Sequence, residues 1–174
     1  MDKNEFRKAA LQRRRLIIDK EEKSKQIQQQ LIDLCKDYKH IAVYMHLKDE
    51  VQTNYFIDEC LKRNKEIYIP SCINDELVFH KVNDILNLKV GKYGILESDG
   101  EISTNFDCMI VPIVACDINK NRMGMGKGYY DKYLQKHLNL NVIGIAFDEQ
   151  IYDEIPINNH DKSLNMVITP TKVL

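Results

Sequence analysis

The sequence of 174 residues has no tryptophan, only four prolines and seven glycines, and no excess of charge of either sign. Its 25 Lys and Arg residues against 26 Asp and Glu residues give a formal net charge of −1, so no overall positive field attracts nucleic acid or an anionic membrane. The longest apolar run covers residues 108–116, whereas a membrane-spanning helix needs about 20 residues. We therefore expect neither nucleic acid nor a membrane as a partner.

The cysteines show no pairing pattern. The five cysteines form no C-x-x-C pair, and their odd number is typical of free thiols in a reducing compartment rather than of a disulfide framework or a zinc site. The N-terminal residues become charged where a secretory signal peptide would turn apolar. We therefore predict a cytoplasmic protein.

One domain is expected, because 44% of the residues are hydrophobic and no linker divides residues 1–174. The first 38 residues show helical periodicity with a break near Asp19, where Asp19 and Glu22 have the spacing of a capping box. Beyond this N-terminal helical arm, short apolar runs alternate with helical patterns. Strands are predicted at residues 40–45, 66–70, 77–82, 107–114, 142–147 and 166–169, and helices at 51–63 and 129–138.

The alternation of strands and helices predicts the fold class. The central strands are apolar on both faces, which is typical of a parallel sheet covered by helices on each side. We therefore predict an α/β fold, a Rossmann-like three-layer αβα sandwich with a mostly parallel central sheet. Ligands of such sheets bind beyond the carboxyl ends of the strands. The expected ligand site lies at the loops that follow Met45, Val114 and Phe147.

A glycine-rich loop before the helix at 129–138 is the most informative motif. Gly124, Gly126 and Gly128 alternate there, so backbone N–H groups can approach an anion, and the next helix points its N-terminal dipole at the same place. Arg122 and the lysine between the last two glycines add full positive charges, which suits a di- or triphosphate. The spacing is neither a Walker A loop nor a dinucleotide fingerprint, so a flexible turn stays open as the alternative.

Two carboxylates are candidate metal ligands. Asp131 falls in the first turn of the predicted helix, where the helix dipole favours a carboxylate even without a function. Beside a phosphate it could also hold Mg²⁺, which proteins bind through one or two carboxylates and phosphate oxygens. Asp161 is the candidate for the second carboxylate.

Basic residues of the N-terminal arm form a second candidate feature. Lys3, Arg7 and Arg14 fall close to one helical face. Such a stripe is usually solvated, but a basic helix laid over the sheet edge could also close on phosphates. The spacing alone leaves both interpretations open.

Three side chains are candidates for contacts to an aromatic ligand. Glu50 lies at the predicted ligand edge, where it either hydrogen-bonds a polar heterocycle or caps the next helix. Tyr129 and Tyr130 can stack on a ring, although Tyr130 shares its helical spacing with residues of the core.

The order and spacing of these residues resemble the 5-formyltetrahydrofolate cyclo-ligase family over most of the chain. The most specific stretch is Arg-x-Gly-x-Gly-Lys-Gly-Tyr-Tyr-Asp at 122–131. The remaining similar positions are Lys3 and Arg7, residues 44–51, Val111 and Pro112, Asp117, residues 146–150, Ile155 and Pro156, Asp161, and Ile168 and Thr169. The chain departs from the family pattern at Ile113, Cys116, Lys120 and Met123, which alters packing and loop shape but removes no charged group.

The resemblance implies the following residue roles. ATP would be bound by Lys3, Arg7, Arg122, Met123, Gly124, Met125, Gly126, Lys127, Gly128, Tyr129 and Tyr130. The reduced folate would be bound by Met45, Glu50, Tyr129, Tyr130 and Gln150. Asp131 and Asp161 would hold Mg²⁺, and Arg122 and Lys127 would be catalytic.

The resemblance also implies the reaction. ATP would phosphorylate the formyl oxygen of 5-formyltetrahydrofolate, N10 would close the ring to 5,10-methenyltetrahydrofolate, and ADP and phosphate would leave without a covalent enzyme intermediate. A small-molecule kinase on the same scaffold and a non-enzymatic nucleotide- or RNA-binding module are the alternatives. We expect a monomer whose only partners are ATP and the folate.

Overall fold

The computed structural model describes residues 2–158 and 161–174. Its four α-helices are α1 (Lys3–Arg15), α2 (Lys20–Leu34), α3 (Asn54–Lys62) and α4 (Tyr129–Lys136). Its strands are β1 (His40–Val43), β2 (Glu66–Ile73), β3 (Glu76–Lys81), β4 (Lys89–Val90), β5 (Leu96–Glu97), β6 (Ile102–Ser103), β7 (Cys108–Pro112), β8 (Ala115–Asp117), β9 (Arg122–Met123), β10 (Val142–Ile145), β11 (Ile151–Tyr152) and β12 (Met166–Ile168).

The main sheet has seven strands in the order β12-β10-β7-β1-β2-β3-β6. The first five are parallel to their neighbours, and β3 and β6 add an antiparallel edge. Two small sheets accompany it, the hairpin β4-β5 and the three-stranded β11-β8-β9. The predicted mixed α/β fold with a mostly parallel central sheet is therefore confirmed.

The alternation of side chains along the central strands explains the layered core. In β1, Ile41 and Val43 belong to one buried cluster and Ala42 to another, because successive side chains of a strand point to opposite faces. The first cluster includes Ile27 of α2 and residues of α3, and the second includes Tyr133 of α4. Helices thus cover both faces of the sheet, as the apolar strands predict.

The N-terminal arm breaks at the predicted place but by a different local structure. Asp19 precedes α2 with a left-handed φ of 56°, and its side chain makes no capping hydrogen bond, so the predicted capping box is wrong. A capping box does form at α1, where the Asp2 carboxylate accepts from the N–H groups of Asn4 and Glu5. That box anchors the helix that carries Lys3 and Arg7.

The predicted strand at 107–114 is shorter in the structure, where β7 ends at Pro112 and a strand of a different sheet, β8, begins at Ala115. The chain leaves the main sheet after Pro112, which has no N–H to donate to a further ladder bond, and β8 then pairs with β9 and β11. The hairpin β8-β9 brings Arg122 back towards the end of β7.

No helix among residues 2–158 and 161–174 combines the length and apolarity needed to cross a bilayer.

Candidate active site

A cavity of about 300 Å³ opens beyond the carboxyl ends of β1 and β7, the edge that the sheet topology predicts. The segments that follow these two strands line it, together with the glycine-rich loop and a segment around β4-β5. The loop that follows Phe147 contributes no lining residue in the described part of the chain. The lining residues include Tyr44, Met45, Leu47, Glu50, Cys72, Lys92, Tyr93, Ile113, Val114, Arg122, Met125, Lys127, Tyr129, Tyr130 and Asp131.

The glycines of the loop are required for two different reasons. Gly126 and Gly128 have φ values of 93° and 69°, in the region that side chains other than glycine rarely adopt. Gly124 has no such φ, but a Cβ there would lie 2.8 Å from Nη1 of Arg122. The loop therefore approaches Arg122 closely and then turns to start α4 with Gly128 as its N-cap. Its path suits an anion at the N-terminus of α4.

Arg122 joins the end of β7 to the start of α4. Its Nη1 donates to the Pro112 carbonyl at 3.0 Å, and its Nη2 donates to Oδ1 of Asp131 at 3.0 Å. The guanidinium also lies over the ring of Tyr130, 5.4 Å from the ring centre. Arg122 is buried but still lines the cavity, so its charge faces a bound ligand at short range. Lys127 is exposed on the same wall.

The basic side chains of α1 divide between the loop surface and the interior. Arg7 donates from Nε to the Gly124 carbonyl at 3.0 Å, and a Cβ on Gly126 would meet its guanidinium at 3.3 Å. Lys3 forms an ion pair with Asp161. Arg14 instead points inward, where it faces Glu50 with 3.7 Å between Nη1 and Oε1. Of the three, Arg7 bonds the outer side of the loop, Lys3 pairs with Asp161, and Arg14 is buried between Glu50 and Met125 of the loop.

The aromatic and acidic candidates meet at the end of β1. Burial raises the pKa of Glu50 above its ordinary value of 4.5, and the N–H of Leu47 and the charge of Arg14 oppose this rise. Burial and the neighbouring Glu50 also raise the pKa values of Tyr44 and Tyr130. Both phenols therefore stay neutral and can act as hydrogen-bond donors. Glu50 lines the cavity and does not serve as a helix cap, because α3 begins with Thr53 as its N-cap.

The two candidate metal ligands are each held by a cation. Asp131 accepts from Arg122 through Oδ1, and its side chain is 42% exposed. Burial opposes ionisation of Asp161, but hydrogen bonds from Lys3 and the Asn158 N–H outweigh this effect and lower the pKa of Asp161. Within the described ranges, no group of three or more His, Cys, Asp or Glu side chains can hold a metal ion. Mg²⁺ needs only one or two carboxylates where phosphate oxygens complete its shell, so Asp131 on the cavity wall fits the ion, whereas Asp161 lies outside the cavity lining.

Five expected site residues lie outside the cavity lining, namely Lys3, Arg7, Met123, Gln150 and Asp161. Met123 packs in a core cluster with Ala10 of α1 and is only 1% exposed. Gln150 donates from Nε2 to the carbonyls of Ile113 and Val114 at 2.6 and 3.1 Å and accepts the Phe147 N–H at 2.9 Å. Its amide is therefore occupied by backbone groups. Gln150 fixes the position of the strand-following segment 113–114, which does line the cavity.

Sequence reasoning missed the wall formed around β4-β5. Tyr93 has a φ of 63° and reaches Tyr129 with 3.2 Å between the two hydroxyl oxygens. Lys92 and Cys72 lie on the same wall. This segment has no helical or strand periodicity, so its only signal is the pair Gly91 and Gly94 that brackets the turn.

The sequence is similar to known proteins of one family. A model of the 5-formyltetrahydrofolate cyclo-ligase family matches residues 1–170. A probable 5-formyltetrahydrofolate cyclo-ligase of Schizosaccharomyces pombe is 35% identical, with 85% of this chain and 87% of the relative covered. The 5-formyltetrahydrofolate cyclo-ligase of Mycoplasma genitalium is 34% identical, with 97% and 98% covered.

Two solved structures that are similar to this protein are both named 5,10-methenyltetrahydrofolate synthetases. The 5,10-methenyltetrahydrofolate synthetase of Aquifex aeolicus superposes with a TM-score of 0.88 at 31% identity, over 99% of this chain and 92% of that chain. The synthetase of Mycoplasma pneumoniae superposes with a TM-score of 0.80 at 27% identity, over 98% and 99%. Because the family model spans nearly the whole chain, the protein belongs to the 5-formyltetrahydrofolate cyclo-ligase family of ligases.

Proposed function

We propose that the protein converts 5-formyltetrahydrofolate to 5,10-methenyltetrahydrofolate in a reaction that consumes ATP and requires Mg²⁺. The observation that carries this proposal is one cavity that combines the cationic glycine-rich loop with apolar and aromatic lining and the buried Glu50. The loop suits phosphates, and the remaining lining suits a flat polar heterocycle. Two unlike ligands can therefore meet in one cavity.

The phosphates of ATP would lie along the loop between Arg122 and α4. Lys127 and Arg122 line the cavity there, and Arg7 packs on the outer side of the loop. Backbone N–H groups at the start of α4 add the helix dipole. Phosphoryl transfer needs positioning and charge neutralisation more than a nucleophilic side chain, and these groups supply both.

The bicyclic ring of the folate would lie at the end of β1. Met45 and the ring of Tyr130 offer apolar surface, and Glu50 offers an acceptor for ring N–H groups. Tyr129 would border both ligands. Gln150 would act indirectly, because its amide holds the Ile113 and Val114 carbonyls in place.

Asp131 would hold Mg²⁺ together with phosphate oxygens, and Asp161 would be the second carboxylate near the loop. Bound there, the ion would neutralise phosphate charge as it develops. Arg122 keeps one oxygen of Asp131 in a fixed position and leaves the other carboxylate oxygen available.

The reaction follows from bringing the two substrates together. The formyl oxygen attacks the γ-phosphorus, the bond from that phosphorus to the β-phosphate oxygen breaks, and ADP leaves. N10 then attacks the formyl carbon, its proton is lost, and the carbon–oxygen bond breaks as phosphate departs with the former formyl oxygen. Arg122 and Lys127 would stabilise the charge on the transferred group, and the shared cavity would hold N10 close to the activated formyl carbon.

The protein would act as a monomer on small molecules alone. The free cysteines, of which four are buried, support a reducing compartment such as the cytoplasm.

Absorbance of the methenyl product tests the proposal. Purified protein is mixed with 5-formyltetrahydrofolate and Mg·ATP. In the control, a non-hydrolysable analogue replaces ATP. We expect the methenyl band to grow only with ATP, with one ADP formed per product. ADP formation without the band would indicate a kinase, and ATP binding without turnover would indicate a binding module.

A further inference from the structure

Arg14 is a buried cation that the proposed reaction leaves without a role. It is 4% exposed and lies one residue from the end of α1, between two exposed arginines, Arg13 and Arg15. Burial of an arginine is costly unless its charge and its donors are matched. The partners of Arg14 therefore indicate why it lies inside.

The hydrogen bonds of Arg14 are few and long. Nη1 donates to the Ile113 carbonyl at 3.3 Å, Nη2 contacts Sδ of Met125 at 3.8 Å, and Nε is buried without a partner among the described residues. Ile113, Met125 and Glu50 all line the cavity, whereas Arg14 itself does not. The guanidinium thus lies directly behind three lining residues.

Glu50 is the only carboxylate that pairs with Arg14 among the described residues. Oε1 of Glu50 faces Nη1 of Arg14 at 3.7 Å, and Oε2 accepts the Leu47 N–H at 2.9 Å. The other ionisable groups that act on Glu50 are Asp49 of its own loop, Tyr44 at the end of β1 and Tyr130 of α4. Neither tyrosine carries a charge near neutral pH, and Asp49 repels the carboxylate. Arg14 is therefore the cation that compensates the charge of Glu50.

We infer that Arg14 is a positioning residue for the folate, which acts through Glu50 by holding that carboxylate as an anion on the cavity wall. The inference rests on the proposed function, because it assigns the Glu50 anion to folate binding. A phosphate-binding role does not fit, because Arg14 lies behind the wall and outside the lining. The incomplete hydrogen bonding of Arg14 does not fit a purely structural brace, which would be fully satisfied.

The first test compares Arg14→Met with Arg15→Met, an exposed neighbour on the same helix. We expect Arg14→Met to raise KM for 5-formyltetrahydrofolate by about tenfold or more and to leave KM for ATP within about twofold. Arg14→Lys restores the charge and is expected to recover most of the folate affinity. Equal folate KM values for Arg14→Met and Arg15→Met would overturn the inference.

The second test needs no activity. The side-chain carboxyl of Glu50 is titrated by NMR in the ligand-free protein, and Arg14→Met is expected to move this titration to higher pH than in the wild type. An unchanged titration in folded Arg14→Met would overturn the inference. If the wild type neither binds nor converts the folate, the proposed function fails, whereas this titration still tests the pairing of Arg14 with Glu50.

A double variant covers the case in which Arg14→Met does not fold. Glu50→Gln combined with Arg14→Met removes both buried charges together, which avoids leaving one unpaired. We expect its folate KM to match that of Glu50→Gln alone within about twofold, since Arg14 acts through Glu50. A further rise of about tenfold would show an independent role and overturn the inference.

Discussion

Arg122 and Asp131 are joined across the cavity wall by a hydrogen bond of 3.0 Å between Nη2 and Oδ1. The same guanidinium donates to the Pro112 carbonyl, so one side chain connects the end of β7 to the first turn of α4. The carboxylate keeps 42% of its side chain exposed. A carboxylate that is fixed at one oxygen and accessible at the other is well suited to a cation shared with a phosphate.

Asp131→Asn tests this role. The amide oxygen can still accept from Arg122, so the connection persists while the negative charge is lost. We expect the Mg²⁺ concentration for half-maximal activity to rise by about tenfold or more. The measurement is a Mg²⁺ titration of product formation, with exposed Asp153→Asn as the matched control. An unaltered titration in Asp131→Asn would contradict the assignment.

Lys127→Ala removes the exposed cation of the loop. If Lys127 stabilises the transferred phosphoryl group, its loss lowers kcat/KM by about 100-fold, as for the loss of one electrostatic donor. Lys132→Ala, one turn into α4 and outside the cavity lining, is the control and is expected to retain activity. The measurement is kcat/KM for each substrate by steady-state kinetics. Similar kcat/KM values for the two variants would remove Lys127 from the mechanism.

Folate affinity is expected to depend on pH through Glu50. Burial raises the pKa of this carboxyl, so protonation begins at a higher pH than for an ordinary glutamate with a pKa of 4.5. If the Glu50 anion binds the folate ring as proposed, affinity is full above the raised pKa and falls as the pH drops through it. Dissociation constants measured from pH 8 downwards should show this fall, and Glu50→Gln should flatten it. An acid limb that survives in Glu50→Gln would assign the pH dependence to another group.

The variants Gly126→Ala and Gly128→Ala distinguish the effect of backbone strain from the effect of a contact with Arg7. Both positions have positive φ, so each substitution costs about 1–2 kcal/mol in unfolding free energy. Only at Gly126 would the new methyl group also press on Arg7, at 3.3 Å. We expect KM for ATP to rise clearly more in Gly126→Ala than in Gly128→Ala. Equal KM values with equal thermal shifts would indicate that the contact with Arg7 has no part in nucleotide binding.

Strand and ligand-edge positions are the part of this structure that sequence patterns predict well. The apolar runs around Ile41, Ile110 and Ile143 form neighbouring parallel strands, and the glycine-rich loop precedes a helix at Tyr129 as expected. Buried parallel strands leave little choice of residue type, so local pattern and tertiary structure agree. The edge rule then places the cavity correctly at the loops after Met45 and Val114, whereas the predicted contribution of the loop after Phe147 is not seen among the described residues.

Side-chain direction is the part that sequence patterns could not supply. Arg7 and Arg14 are seven residues apart and lie on one helical face, yet one bonds the loop surface and the other is buried against Glu50. The difference arises because the turn of α1 with Arg7 lies against the glycine-rich loop, whereas the turn with Arg14 lies against the segment that contains Glu50. Gln150 was expected to contact the folate directly for the same reason. Its hydrogen-bond partners are carbonyls far away in sequence, which local patterns do not reveal. Tyr93 was missed because the flanking Gly91 and Gly94 indicate a turn but not the left-handed backbone of Tyr93 or its contact with Tyr129.

The fate of the formyl oxygen tests the central claim most directly. 5-Formyltetrahydrofolate labelled with heavy oxygen in its formyl group is converted with Mg·ATP, and the released phosphate is analysed by mass spectrometry. Attack of that oxygen on the γ-phosphorus predicts one label in phosphate for each methenyl product formed. Product accompanied by unlabelled phosphate would contradict phosphorylation of the formyl oxygen, and label recovered in water would contradict it equally.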